Sequence, residues 1–110
     1  VTAEIIQKQS NTYGLKLAEM NIKIESNRDL NDKVSLALRP EKIIIERTDN
    51  SNCILAKIKS ASFVGSSYQY ILNSKIGDLY VVSGDTNDIF KVGEEVFLSI
   101  NEKDIKILND

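Results

Sequence analysis

A chain of 110 residues is the size of one domain, and with 42% hydrophobic and 27% charged residues it can close a core, which excludes a disordered tail and a two-domain enzyme. The formal charge of −2 removes the positive field that draws nucleic-acid backbones or anionic lipid, and no apolar run approaches the ~20 residues that cross a bilayer as a helix. Histidine is absent and cysteine occurs once, as Cys53, which excludes Ser-His and Cys-His nucleophile pairs, multi-cysteine metal clusters and internal disulfides.

A lone thiol suits a reducing cytoplasm. The chain starts at Val1 without a charged and apolar leader, and it reads as a piece of a longer protein. Alternation of apolar and polar residues predicts strands at 2–7, 13–17, 21–25, 34–38, 42–47, 53–64, 68–72, 78–82, 95–100 and 105–108, and no segment holds a helical period over three turns. The expected fold is therefore all-β. Turn chemistry separates the strands at Ser10-Asn11-Thr12, Ser26-Asn27-Arg28-Asp29, Asp49-Asn50-Ser51-Asn52, Gly65-Ser66-Ser67, Ser83-Gly84-Asp85 and Val92-Gly93-Glu94.

Val34-Ser35-Leu36-Ala37-Leu38 echoes Val96-Phe97-Leu98-Ser99-Ile100, and Ile43 then aligns with Ile105. The echo predicts two related β sub-modules, about 1–48 and 53–110, that share a core, because a unit of that size is marginal alone. In the longest strand, Ile54, Ala56, Ile58, Ser60 and Ser62 fall on one face, and Leu55, Lys57, Lys59, Ala61 and Phe63 on the other. Small residues at Ser60, Ala61 and Ser62 permit a sharp coil, and Gly65 closes the strand, as in an OB-fold-like barrel.

Few constellations carry chemistry. Phe63-Val64-Gly65-Ser66-Ser67 offers N–H groups to an oxyanion but reads first as a hairpin, and no GxxxxGK[ST] phosphate loop occurs. Ser83–Asp88 is oxygen-rich but lacks the calcium-loop register. Glu94-Glu95 and Glu102-x-Asp104 read as surface charge. Phe63, Tyr68, Tyr70 and Tyr80 beside Lys57, Lys59 and Lys75 make a thin case for a nucleic-acid barrel. Pro40 sets a kink between two strands, with Arg39 and Glu41 beside it to pair with each other or with a neighbouring domain.

The string Val34-Ser35-Leu36-Ala37-Leu38-Arg39-Pro40-Glu41-Lys42-Ile43, followed by Ala56-Lys57-Ile58, Phe63-Val64-Gly65, Tyr70-Ile71-Leu72 and 92–100, resembles the transport-associated OB (TOBE) region at the C-terminal end of ATP-binding subunits of bacterial ABC importers. Arg39, Pro40, Glu41, Phe63, Gly65 and Tyr70 match that pattern by position. The resemblance implies a regulatory and dimerisation domain without catalysis or cofactor of its own, ATP and Mg belonging to an ATPase domain outside this chain. It implies as partners a second copy, that ATPase domain and the membrane permease subunits, with no nucleic acid, at the cytoplasmic face of the membrane. The tyrosine-bearing strand resembles the polyamine and ferric-iron branch. The alternatives are a free-standing oxyanion-binding protein and a nucleic-acid-binding OB module.

Overall fold

The structure, a computed structural model, describes residues 1–26, 30, 32–49 and 52–108. Ten strands form in chain order: β1 (Thr2–Gln9), β2 (Thr12–Leu17), β3 (Met20–Glu25), β4 (Lys33–Leu38), β5 (Ile44–Glu46), β6 (Ile54–Phe63), β7 (Tyr68–Ser74), β8 (Gly77–Ser83), β9 (Glu95–Ser99) and β10 (Ile105–Leu108). Among the described residues, no helix is long and apolar enough to cross a membrane.

The strands make two curled five-stranded sheets, ordered β10-β4-β1-β2-β3 and β5-β9-β6-β7-β8. They are two OB-like half-barrels, as the alternation predicts. Each half of the chain supplies four strands to its own sheet and its last strand to the other. β5 pairs with β9, and β10 pairs with β4.

The repeat extends beyond the echo read from the sequence. Ile5 pairs with Leu15 as Ile58 pairs with Leu72, and both strands carry a bulge one step later, between Ile5 and Gln7 and between Ile58 and Ser60. The Ile5 N–H donates to the Asp32 carbonyl at 2.8 Å, as the Ile58 N–H does to Glu94 at 2.9 Å. Tyr13 and Tyr70 are both fully buried, and each phenol accepts an N–H from the loop that precedes the next strand: Leu30 at 3.3 Å and Phe90 at 3.2 Å.

The inward residues of both sheets merge into one core that includes Leu15, Leu17, Ile22, Leu36, Ile54, Leu72, Val81 and Leu98. Ile43 and Ile105, which open the exchanged segments, are both buried in it. Sheet membership therefore crosses the expected division at 48–53, since the two last strands trade places.

Two expectations need correction. The strand expected at 42–47 begins later, because Pro40–Lys42 forms a 3-10 turn before β5, and a second such turn, Glu102–Asp104, precedes β10. Pro40 at the first turn position has no N–H to lose, and Asn101 caps the second turn by accepting the Lys103 N–H at 3.2 Å. The alternation along β6 also fails past the bulge. Ala61 pairs with Tyr70 and Phe63 with Tyr68, which turns Ala61 and Phe63 to the inner side, away from Lys57. The expected turns at 26–29 and 49–52 lie partly outside the described residues.

Candidate functional site

Each half-barrel leaves a seam between its edge strands, and each seam opens into a cleft. The first lies between β3 and the segment leading into β10, measures 570 Å³, and is lined by Thr12, Lys23, Glu25, Glu102, Lys103 and Ile105. The second lies between β8 and the segment leading into β5, measures 280 Å³, and is lined by Glu41, Ile43, Val81, Ser83, Asp85 and Phe90 among others. The repeat relates them: Ile105 stands in one where Ile43 stands in the other. Each cleft has one wall from each half of the chain.

The charges have diverged. Lys23, Lys103 and Thr12 line the first cleft together with Glu25 and Glu102, and Glu102 Oε1 accepts the main-chain N–H of Lys23 at 3.0 Å. The adjoining edge of β3 is closed by Asn52. Its Oδ1 accepts the Asn21 N–H at 2.8 Å and its Nδ2 donates to the Asn21 carbonyl at 2.9 Å. Pro40 occupies the place of Glu102 in the other copy, so that edge lacks an equivalent carboxylate cap.

The second cleft is acidic, with Glu41, Asp85 and Asp88 and no lysine or arginine in its lining. Arg47 clamps the loop above it. Its guanidinium bonds Asp88 at 2.6 Å and Glu94 at 3.0 Å, donates to the Ile89 carbonyl at 3.2 Å, and lies 4.2 Å over the Phe90 ring. The hydrogen bond with Asp88, and then Glu94, raises the basicity of Arg47 further. Asp85 Oδ1 accepts the N–H groups of Asn87 and Asp88 at 3.0 and 3.2 Å, so this oxygen-rich loop binds its own backbone. Among the described residues, no cluster of three metal-ligating side chains occurs.

The residues matched by the family pattern do not converge on one site. Arg39 and Glu41 are exposed, and among the described residues neither makes an ion pair; Pro40 is half-buried at the start of its turn. Glu41 reaches the second cleft. Tyr70 is a core residue. It belongs to an aromatic ladder in which Phe63 meets Tyr68 at 5.2 Å, Tyr68 stacks on Tyr70 at 5.9 Å, and Phe90 meets Tyr70 edge-on at 5.7 Å. Gly65 has φ +87° in the hairpin beyond Phe63, where a side chain other than glycine is strained. In that hairpin the Val64 N–H already donates to Ser67. Lys59 and Lys75 are paired with Asp78 at 2.7 Å and Glu19 at 3.1 Å.

Sequence reasoning did not single out Lys23, Lys103 or Thr12. Thr12 and Lys23 are neighbours through the pairing of β2 with β3, and the exchange of β10 brings Lys103 to them.

A family model described as TOBE domain matches residues 36–108, well over half of the chain. No curated protein matches the sequence. A solved structure of the cytoplasmic molybdate-binding protein ModG, with molybdate bound, has a TM-score of 0.74 and 7% sequence identity, covering 96% of this chain and 92% of that one. At that identity the likeness shows the fold.

Proposed function

Because the chain belongs to the TOBE domain family, we propose that it is a non-catalytic binding module of a transport system and that it takes a small oxyanion in its first cleft. The observation that carries this reading is the meeting of Thr12, Lys23 and Lys103 on a cleft of 570 Å³ built from both halves of the chain. Two ammonium groups and a hydroxyl supply the donors that a tetrahedral anion needs, and an open cleft lets them reorient around it. The likeness to a molybdate-binding protein, which spans nearly all of both chains, supports the same ligand class. Binding of this kind needs no nucleophile and no general base.

The test is a calorimetric titration with molybdate, sulfate and phosphate. Binding that weakens about tenfold in Lys23→Gln and in Lys103→Gln, the loss of one charge-assisted hydrogen bond, supports the reading. Absence of heat at millimolar anion, or equal binding by the variants, refutes it.

A second reading has its own support. The strand running into Arg39-Pro40-Glu41, inside the family match, favours the regulatory region of an ABC importer's ATP-binding subunit, and the acidic second cleft suits a cation of the polyamine or ferric-iron type. In that setting the partners are a second copy, the ATPase domain with its ATP and Mg, and the permease subunits at the cytoplasmic face of the membrane, and no nucleic acid. Spermidine binding that disappears in Asp85→Asn, with no oxyanion heat, would select this reading over the first.

A further inference from the structure

The first cleft carries as many carboxylates as ammonium groups. Lys23 and Glu25 stand two residues apart on β3 and so share a face, with Thr12 directly across from Glu25 on β2. Glu102 and Lys103 line the cleft from the turn before β10. Each wall thus brings one cation and one anion, and the charges of the lining balance. Among the described residues none of these four side chains is in an ion pair, although opposite charges border the same space. Glu102 uses one oxygen to accept the Lys23 main-chain N–H. Its other oxygen and the Glu25 carboxylate remain as acceptors beside the lysine donors.

That mixture decides which oxyanions fit. An ammonium only donates, and a carboxylate only accepts. Sulfate, selenate and molybdate carry no proton at neutral pH, so an oxygen of theirs set beside Glu25 or Glu102 meets a like charge with no hydrogen between. Phosphate and arsenate keep at least one O–H at the same pH. That hydroxyl donates to a carboxylate while the remaining oxygens accept from lysine and threonine. A carboxylate in the lining therefore sorts ligands by their proton, repelling the bare anion as well as holding the protonated one.

We propose that the first cleft is selective for oxyanions that carry a proton, of the phosphate type, and that Glu25 and Glu102 impose the choice. The proposal rests on the oxyanion reading given above and narrows it. Molybdate, the anion bound in the ModG structure, is proton-free, and at 7% identity that likeness extends to the fold and not to the lining of a cleft. The second cleft has carboxylates without lysine or arginine in its lining, so it draws neither kind of oxyanion. The four charged residues of the first cleft are exposed, and solvent screening sets the discrimination at roughly tenfold, well below that of a sealed site.

The test is a calorimetric titration at neutral pH with two matched pairs, phosphate against sulfate and arsenate against selenate, and with molybdate. The members of each pair are alike in size and differ in the proton. Phosphate and arsenate are expected to bind at least about tenfold tighter than sulfate, selenate and molybdate. In the double variant Glu25→Gln with Glu102→Gln the gap closes, chiefly because sulfate and selenate bind tighter: a glutamine amide donates to a bare oxygen and keeps a carbonyl for the Lys23 N–H. Sulfate, selenate or molybdate binding as tightly as phosphate to the unaltered chain overturns the selectivity and leaves an oxyanion site standing. A gap that persists in the double variant, folded by circular dichroism, overturns the assignment to these carboxylates. If that variant folds poorly, Glu25→Gln alone, a change at an exposed strand position, is expected to narrow the gap in the same direction. No heat with any of these anions overturns both the selectivity and the oxyanion reading.

Discussion

Tyr70→Phe isolates the hydroxyl that ties the aromatic ladder to the loop above the second cleft. The Tyr70 ring is fully buried, and its phenol accepts the Phe90 N–H at 3.2 Å in a buried setting. Removing the oxygen leaves the ring, its stacking on Tyr68 and its edge contact with Phe90 in place, so no cavity of consequence forms. What remains is a buried N–H without its acceptor, which costs about 1–3 kcal/mol. Against a total stability of about 5–15 kcal/mol the loss is measurable, and in a domain of this size it lowers Tm by roughly 5–10 °C. Urea unfolding should show a lower midpoint with an unchanged m-value, and amide exchange should quicken first at Phe90. The matched substitution Tyr13→Phe removes an acceptor at 3.3 Å from the Leu30 N–H in a part-buried setting, and it should cost less because water can reach that donor. A Tyr70→Phe protein within about 0.3 kcal/mol of the parent, or a larger loss at Tyr13, would refute the idea that buried phenols hold the two loops.

Three further outcomes follow from local geometry. Asn52→Ala strips both main-chain caps from Asn21, so stability should fall by about 1 kcal/mol and the β3 edge should exchange its Asn21 amide faster, a change readable by NMR. Gly65→Ala meets no atom within 4 Å but is held at φ +87°, so it should cost about 1 kcal/mol, while Gly84→Ala, with open space and no positive φ, should be neutral or slightly stabilising in the same urea assay. For Glu19, burial opposes ionisation, but hydrogen bonds from backbone N–H groups and Lys75 outweigh it and hold the carboxyl below its ordinary value. Its folded pKa is thus depressed. The stabilisation is full above the unfolded value and is lost as pH falls through the folded one, so Glu19→Gln should flatten the acid limb of a stability–pH curve by lowering stability slightly at neutral pH and leaving it almost unchanged at low pH.

The strands were legible because alternation reports which residues face a core. β10 was read at its observed bounds, and the match of Val34-Leu38 to Val96-Ile100 pointed to a repeat that the register then extended through both bulges. The same signal is blind to which strand lies beside which. Nothing in Ile44-Ile45-Glu46 distinguishes pairing with β9 from pairing with β4, since either neighbour buries the same face. The bulge at Ser60 was foreshadowed by its small residues, yet a period of two cannot announce its own break, and Phe63 was accordingly placed on the wrong side. The two 3-10 turns are three residues each, too short to show a period at all. The clefts were illegible for a further reason: Lys103 becomes a neighbour of Thr12 and Lys23 only through the exchange of β10.

That exchange also decides what the chain can do as a unit. A half of about 50 residues has too little core to stand alone, and here each half is completed by the other's last strand and by the buried isoleucine before it, Ile43 or Ile105. The walls of each cleft are therefore contributed by both halves. A ligand held between Lys23 on β3 and Lys103 before β10 would bear on the segment that carries the second half's last strand into the first sheet. If it binds one spacing of those walls better than another, its differential affinity acts on the packing of the whole domain, with no hinge and no chemistry required. An isolated barrel with all its strands from one segment would confine the same event to itself. In this chain the first cleft and the joint between halves are the same structure, which is the arrangement a binding module needs if occupancy is to be felt by whatever lies beyond it.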